Sequence, residues 1–425
     1  MIIRAQVVVT MDGPPIENGA VRVRGERIIE VGKISDLGDA DEIVDLGDHI
    51  LLPALINAHC HLDYTCLCGK IAPPQSFADW IRAINGEKAK LSAEDYVASI
   101  NQGFGKAKQF GTTTIANLTA FPELIAQVQE PIRTWWFGEL IDVRQRLQNS
   151  TALSSHVSRR NEIVDRALES LKTTDRIGLA PHAPFTASAN LYRCCADIAE
   201  GDNFLLTTHL AESREEMQMF RDANGPLYEF LKEIGRDMSD CGRTTPLQAF
   251  VRTLQPPRRD PSVVRAGPAE SLGMARPWIV AHLNELTESD FDLLAKIPQK
   301  FSIVHCPRSH AYFGHSDFQF KRLRELGFNI CLGTDSLASN DDLSLFAEMR
   351  MFHDRFRVQP QKVLEMVTIN PAYALERRDE LGKIRRNFLA DIMALPFIKS
   401  TNVLETILNF VGKVPWIMLH GDLAP

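Results

Sequence analysis

Apolar and polar residues alternate in short bursts along residues 1–50, a pattern typical of half-buried β-strands. The stretches "QVVVT" and "GAVRVRGERIIEVG" follow it, with Gly and Asp-Gly between the bursts. These runs predict a small antiparallel sheet. The later stretch "LGKIRRNFLADIMALPF" returns to short strand-like runs. We therefore expect residues 1–52 and 381–425 to form one β-sandwich domain from both ends of the chain.

Residues 53–380 have a different texture, with continuous apolar runs separated by amphipathic helical patterns such as "SRRNEIVDRALESLK". Eight such runs occur: "PALINAH", "GTTTIANL", "RTWWFGEL", "RIGLAPH", "FLLTTHL", "PWIVAHL", "FSIVHC" and "NICLGTD". Continuous apolar strands between helices indicate a parallel sheet covered by helices on its outer face. Eight units predict an α/β protein with a (β/α)₈ TIM barrel.

Composition and charge narrow the possible partners. The net charge is −7 with both signs mixed, which gives no support for binding to nucleic acid or to an acidic membrane surface. No run of 18 or more apolar residues occurs, so we expect no transmembrane helix. The start "MIIRAQVVVTMDG" resembles a strand rather than a signal peptide, and eight scattered cysteines lack disulfide or zinc-ribbon spacing. We therefore expect a cytoplasmic protein.

Titratable side chains recur where the predicted barrel strands end. Most of the strands end in one: His59 and His61, His182, His209, His282, His305 and Asp335. One buried histidine is usually a structural residue, but the C-terminal strand ends form the active face of a TIM barrel. This recurrence favours a metal site.

Four of these residues could hold a catalytic metal ion, since His59, His61, His209 and Asp335 would supply three nitrogens and a carboxylate. The fourth strand, in "GLAPHAPF", has no lysine that could bridge a second ion. We therefore expect one divalent ion per chain. We predict Zn²⁺, although Fe²⁺ accepts the same ligands.

Glu212 follows His209 by three residues in "THLAES", and a turn there would bring its carboxyl beside the metal as a proton carrier. We interpret Glu215 and Glu216 as surface helix charges. His305 could either orient a loop or touch substrate, and both interpretations stay open.

Two further features have alternative interpretations. Phe77 and Trp80 are three residues apart and share a helix face; they could pack in the core or cover the mouth of a pocket. The segment 253–277, "TLQPPRRDPSVVRAGPAESLGMARP", has no clear period. It could be a lid over the site or a solvated insertion.

Six motifs in chain order resemble the amidohydrolase superfamily: "NAHCHLDYT", "APHAPFTAS", "THLAESREE", "AHLNELT", "HCPRSH" and "LGTDSLASNDDLSLFAEMR". They are most similar to the cytosine deaminase-like and methylthioadenosine/S-adenosylhomocysteine deaminase-like branch. The stretches "CGKIAPPQSFADWI" and "HCPRSHAYFGH" look more like the aminodeoxyfutalosine deaminase-like members. Ser309-His310 departs from the family's frequent Ser-Asn.

The resemblance implies roles for individual residues. It implies that His59, His61, His209 and Asp335 bind the metal and that Asp335 also accepts a proton. It implies Glu212 as the proton shuttle to a ring nitrogen and His282 as the group that holds the attacking hydroxide. The predicted substrate contacts are His182, Phe77, Trp80, His305 and Arg308.

These inferences predict a metal-dependent hydrolytic deaminase that acts on an amino-substituted nitrogen heterocycle. The expected substrate is a small adenosine-type nucleoside such as aminodeoxyfutalosine. A cyclic-amide or halotriazine hydrolase on the same metal site is the alternative enzyme. A barrel that has lost its chemistry and serves only in binding would be expected to lack a ligand, and none is missing. We expect a homodimer.

Overall fold

The computed structural model describes residues 1–38, 42–143, 153–255, 277–397 and 402–423, with side chains of residues 153–161 excluded. The segment 253–277 lies outside the described residues except at its two ends, so its interpretation stays open. None of the described helices is both long and apolar enough to span a membrane.

The described chain alternates strands and helices through its middle and has mostly strands at both ends. The strands are β1 Ile2–Val8, β2 Ile16–Arg24, β3 Arg27–Lys33, β4 Ile43–Asp45, β5 His49–Pro53, β6 Leu55–His61, β7 Thr112–Thr119, β8 Arg133–Leu140, β9 Ile177–Pro181, β10 Leu205–Leu210, β11 Trp278–His282, β12 Ser302–His305, β13 Asn329–Leu332, β14 Asp335–Ser336, β15 Ile392–Pro396, β16 Trp416–Leu419 and β17 Asp422–Leu423. The α-helices are α1 Phe77–Lys88, α2 Ala93–Gln109, α3 Leu153–Leu171, α4 Ala189–Asp202, α5 Arg214–Asp222, α6 Pro226–Glu233, α7 Pro246–Leu254, α8 Glu288–Lys296, α9 Pro307–Phe313, α10 Phe320–Glu325, α11 Leu345–Phe356, α12 Pro360–Glu365, α13 Ile369–Ala374 and α14 Val403–Leu408.

The larger sheet is a parallel barrel with the order β13-β12-β11-β10-β9-β8-β7-β6-β14. Its eighth strand is split: β13 pairs with β12, whereas β14 pairs with β6. Between the two halves, Gly333 N donates to the His305 carbonyl and Thr334 N donates to the His59 carbonyl. A Cβ on Gly333 would lie 2.7 Å from the His59 oxygen, so only glycine fits this closure. The predicted TIM barrel is confirmed.

The second sheet joins both ends of the chain in the order β17-β16-β15-β5-β1-β2-β3, with β4 also beside β1. Most of its pairings are antiparallel, and β1 pairs in parallel with β4 and β5. A sheet made from both termini is therefore confirmed. The domain boundaries 52/53 and 380/381 stay predictions.

Two buried clusters support the barrel. The larger one packs strand residues such as Leu206, Val280 and Ile303 against helix residues such as Leu191 and Phe352. A second cluster draws on residues from strands around the barrel: Ile56, Leu118, Trp135, Phe137, Ala180, Ile279, Val304 and Cys331. These side chains fill the interior of the barrel, so the polar residues at the C-terminal strand ends lie directly above a packed apolar core.

Candidate metal and active site

The C-terminal ends of parallel strands meet at one rim of a closed barrel, and the predicted histidines lie there. The pairing of β6 with β7 shifts register between Asn57 and Cys60, immediately before His61. Such irregularities re-aim side chains near functional sites. His282 and Asp335 have φ angles of 74° and 56°, which is uncommon for residues with a side chain and costs free energy. The rim therefore holds strained backbone at two of the predicted site residues.

Three histidines and one aspartate converge on one point at this rim. His61 Nε2 lies 3.2 Å from His209 Nε2. Asp335 Oδ1 lies 3.9 Å from His59 Nε2 and 4.0 Å from His61 Nε2. The structure thus brings together all four residues predicted to bind a metal.

The chemistry of this group fits a divalent cation. Both ring nitrogens of His59 are buried and have no hydrogen-bond partner among the described residues, an arrangement that is costly unless something binds them. His209 donates its Nδ1–H to the His182 carbonyl at 3.0 Å, which leaves Nε2 as a lone-pair donor. Burial lowers the pKa of His59 to about 3 and that of His209 to about 4, so both rings are neutral, as metal ligands must be.

Glu212 lies beside this group, with Oε1 3.8 Å from His282 Nε2. Burial raises the pKa of Glu212 well above its usual range, and the charges of Asp335 and Glu216 raise it further. A buried carboxyl with a raised pKa can carry a proton at neutral pH.

Glu216 is fully buried, so the prediction that it is a surface charge is wrong. Its carboxylate accepts the backbone N–H of Ala211 at 3.2 Å and of Glu212 at 2.7 Å. Since Ala211 has a φ of 49°, these bonds hold a strained turn. The turn is the backbone that carries Glu212.

Glu215 is half-buried and is also not a free surface charge. Its two carboxylate oxygens accept the backbone N–H groups of Phe77 and Ala78 at 2.7 and 3.0 Å. These are the first N–H groups of α1, which have no partner within the helix. Glu215 therefore fixes the start of α1 to the barrel rim.

A cavity of about 180 Å³ opens above the metal ligands. One face of α1 lines it through Phe77, Trp80, Ile84 and Lys88. Phe77 also packs with Phe185 and Phe313. Phe77 and Trp80 are expected either to pack in the core or to cover the mouth of a pocket. The two alternatives are compatible, because these aromatic side chains pack with their neighbours and also line the cavity. His182 lines the cavity as well.

Two other predicted substrate contacts lie elsewhere. His305 stacks on Phe318, with 4.1 Å between ring centroids, and Arg308 pairs with Asp341 and Asp342. Neither is among the described residues that line the cavity. Ser309, the residue after Arg308, donates to Asp335 Oδ2 at 2.7 Å, so the "HCPRSH" motif reaches the metal group through Ser309.

The sequence reasoning missed Glu139, although it ends the predicted strand "RTWWFGEL" as the histidines end theirs. Glu139 lines the cavity with Oε1 3.9 Å from His182 Nε2, and burial raises its pKa. Including glutamate among the titratable residues sought at the strand ends would have identified it. Lys88 and Tyr64 were also missed, and no local sequence signal marks them.

Comparison with known proteins agrees with this geometry. The chain belongs to the amidohydrolase family, whose model matches residues 50–414. It is 25% identical to a 5-methylthioadenosine/S-adenosylhomocysteine deaminase of Pyrococcus furiosus, over 95% of this chain and 91% of the relative. It is 27% identical to a 5'-deoxyadenosine deaminase of Methanothrix thermoacetophila, over 99% and 93%.

Solved structures share the fold. The aminofutalosine deaminase of Helicobacter pylori, in complex with methylthio-coformycin, has a TM-score of 0.81 at 20% identity and full coverage of both chains. A triazine hydrolase variant has a TM-score of 0.78 at 16% identity, over 99% of this chain and 94% of the other. The predicted resemblance to the amidohydrolases is confirmed.

Proposed function

We propose that this protein is a metal-dependent hydrolytic deaminase of an adenosine-type nucleoside. The observation that carries the proposal is the buried Glu212 carboxyl beside a converging His₃Asp group, under a cavity with an aromatic wall. The names of the curated relatives support the same chemistry, because they are deaminases of adenosine-type nucleosides.

We infer that His59, His61, His209 and Asp335 hold one divalent ion, Zn²⁺ or Fe²⁺. When bound, such an ion supplies Lewis acidity that makes water a nucleophile near neutral pH. The absence of lysine from β9, Ile177–Pro181, supports a single ion, since no bridging lysine is offered there.

Side chains of the protein itself would transfer the protons and orient the attacking water. Deamination forms a C–O bond at the carbon that carries the amine and breaks the C–N bond, so the ring nitrogen and the leaving amine must both gain protons. Glu212 is positioned to hand on these protons. His282, 3.8 Å from Glu212, is neutral because burial keeps its pKa well below the usual range, and it can orient the attacking water by a hydrogen bond.

The test is ammonia release from a panel of aminated purine nucleosides, pterins and triazines, with the metal content of the enzyme measured in parallel. We expect release from at least one adenosine-type nucleoside. A metal-loaded enzyme that releases ammonia from none of them would contradict the proposal, and activity confined to triazines would favour the triazine hydrolases. His59→Ala should lose metal and activity together; full metal with full turnover would contradict the ligand assignment.

We further propose a cytoplasmic location, because all eight cysteines are free and reduced thiols persist in that compartment. The homodimer stays a prediction.

A further inference from the structure

Glu348 is a fully buried residue of α11 that the proposed reaction does not use. Its two carboxyl oxygens each accept one hydrogen bond: Oε2 accepts the Arg308 backbone N–H at 2.9 Å, and Oε1 accepts the Asn340 side-chain amide at 2.8 Å. Both neighbours present N–H donors, which carboxylate oxygens accept and an amide nitrogen in the same place could not. One buried side chain therefore ties two segments of the chain together.

Asn340 connects Glu348 to the backbone that precedes Asp335. The Asn340 amide donates one N–H to Glu348 and the other to the Thr334 carbonyl, each at 2.8 Å. Its own carbonyl oxygen accepts the Asp341 backbone N–H at 2.8 Å, so the orientation of the amide is fixed. The residue after Thr334 is Asp335, whose φ of 56° lies in the left-handed region. Such a backbone persists only where its surroundings hold it.

Arg308 connects Glu348 to the side chain of Asp335. The Arg308 N–H that donates to Glu348 lies one residue before Ser309. The Ser309 hydroxyl donates to Asp335 Oδ2 at 2.7 Å, while Asp335 Oδ1 lies 3.9 Å from His59 Nε2. Glu348 therefore contacts both the segment that enters Asp335 and the segment that holds its outer oxygen.

From this arrangement we propose that Glu348 is a positioning residue for the metal site. Acting through the two segments that it contacts, Glu348 sets the direction in which Asp335 presents Oδ1 to the histidines. The inference rests on the metal-binding part of the proposed function and adds a residue that lies outside the four ligands. Hydrogen-bonded groups behind metal ligands orient those ligands, and their loss lowers metal affinity about 10- to 100-fold.

Glu348→Gln tests this role with little change in shape. One of the two N–H donors would face the amide nitrogen instead of an oxygen, so one hydrogen bond is lost. We expect the dissociation constant for Co²⁺, measured in competition with a chelator, to rise about 10- to 100-fold. The visible absorption bands of bound Co²⁺ depend on the arrangement of its ligands and should shift in position or intensity. Neither measurement requires substrate or turnover, so the result is independent of whether deamination is found.

Asp290→Asn is the matched control, because Asp290 is an equally buried carboxyl that joins other segments. It accepts the Thr245 hydroxyl and the Thr287 backbone N–H. This variant should have a lower melting temperature but the Co²⁺ affinity and spectrum of the parent. An equal loss of Co²⁺ affinity in Glu348→Gln and Asp290→Asn would overturn the inference, because it would reflect general destabilisation. Parent affinity with an unchanged spectrum in Glu348→Gln would also overturn it.

Asn340→Ala keeps the test decisive if Glu348→Gln does not fold. This variant leaves Glu348 and Ser309 in place and removes only the connection to the Thr334 carbonyl. It should also weaken Co²⁺ binding and change the spectrum. Parent affinity and spectrum in that case would refute the inference.

Discussion

At the scale of single residues, Glu212 owes its position to its neighbours. Glu216 fixes the Glu212 backbone from one side, and Asn284 donates to the Glu212 carbonyl at 3.0 Å from the other. The side chain is buried beside other carboxylates, which raises its pKa. Burial and the neighbouring carboxylates thus favour the protonated form of Glu212 beside the metal ligands.

Glu212→Gln tests the proton transfer. The amide has nearly the same shape but cannot give up and regain a proton, so turnover should fall at least about a hundredfold. Steady-state ammonia release measures this loss. Metal content, measured on the same preparation, should stay at the parent level because Glu212 is proposed as a non-ligand. Turnover within a few-fold of the parent would place the proton shuttle elsewhere, and loss of metal would make Glu212 a ligand.

At the scale of elements, α1 forms one wall of the cavity, and a residue at the barrel rim fixes its N-terminal end. Ser76 caps its N-terminus by accepting from Asp79 N at 3.3 Å, and Glu215 accepts from the first N–H groups. The cavity face of the helix is therefore fixed by a residue that immediately follows the Glu212 turn.

Trp80→Ala tests whether this wall contacts the substrate. Loss of a stacking surface for a flat heterocycle should raise KM about tenfold, with little change in kcat. Trp416→Ala is the matched control, because Trp416 is a partly buried tryptophan in the terminal sheet. A lower melting temperature in both variants with unchanged KM in both would assign Trp80 to packing alone.

At the scale of the whole molecule, one buried ion pair joins the barrel to the terminal sheet. Arg133, the first residue of β8, donates to Asp391 at 2.6 and 3.3 Å and to Glu26 at 3.1 Å. Asp391 also accepts a hydrogen bond from the backbone N–H of His420 at 3.2 Å. These contacts lie at the end of the barrel strands opposite the metal group.

Removing the arginine alone should destabilise the protein. Arg133→Met leaves Asp391 buried without its cation, at a cost of about 3–5 kcal/mol. The shift of the urea unfolding midpoint measures this cost. Adding Asp391→Asn should restore much of the stability, because it removes the charge and keeps an acceptor for His420.

An exposed pair provides the control for this prediction. Arg4 and Asp45 lie 3.2 Å apart and are about half exposed, so Arg4→Met should cost only about 0–1 kcal/mol. Equal shifts for Arg4→Met and Arg133→Met would show that the buried Arg133–Asp391 pair contributes no more to stability than an exposed pair.

The sequence predicts the barrel well because its strands are buried on both faces and appear as continuous apolar runs. It also predicts which histidines meet, because the strand-end position is a local property. Glu215 and Glu216 could not be predicted in this way. One caps a helix more than a hundred residues away in the chain and the other holds a tight turn, and both contacts exist only in the folded chain. The division of the eighth strand into β13 and β14 at Gly333 also depends on a distant contact, because β6 packs closely against that glycine.

The position of β5 in the terminal sheet has a consequence for synthesis. In the sheet, β5 lies between β1, made at the start of the chain, and β15, made only after the whole barrel. While the ribosome adds residues 54–391, one edge of β5 keeps its backbone N–H and C=O groups unpaired, the kind of edge that invites wrong pairing. The nascent chain therefore exposes an unpaired edge of β5 through most of translation, until β15 is made and pairs with it.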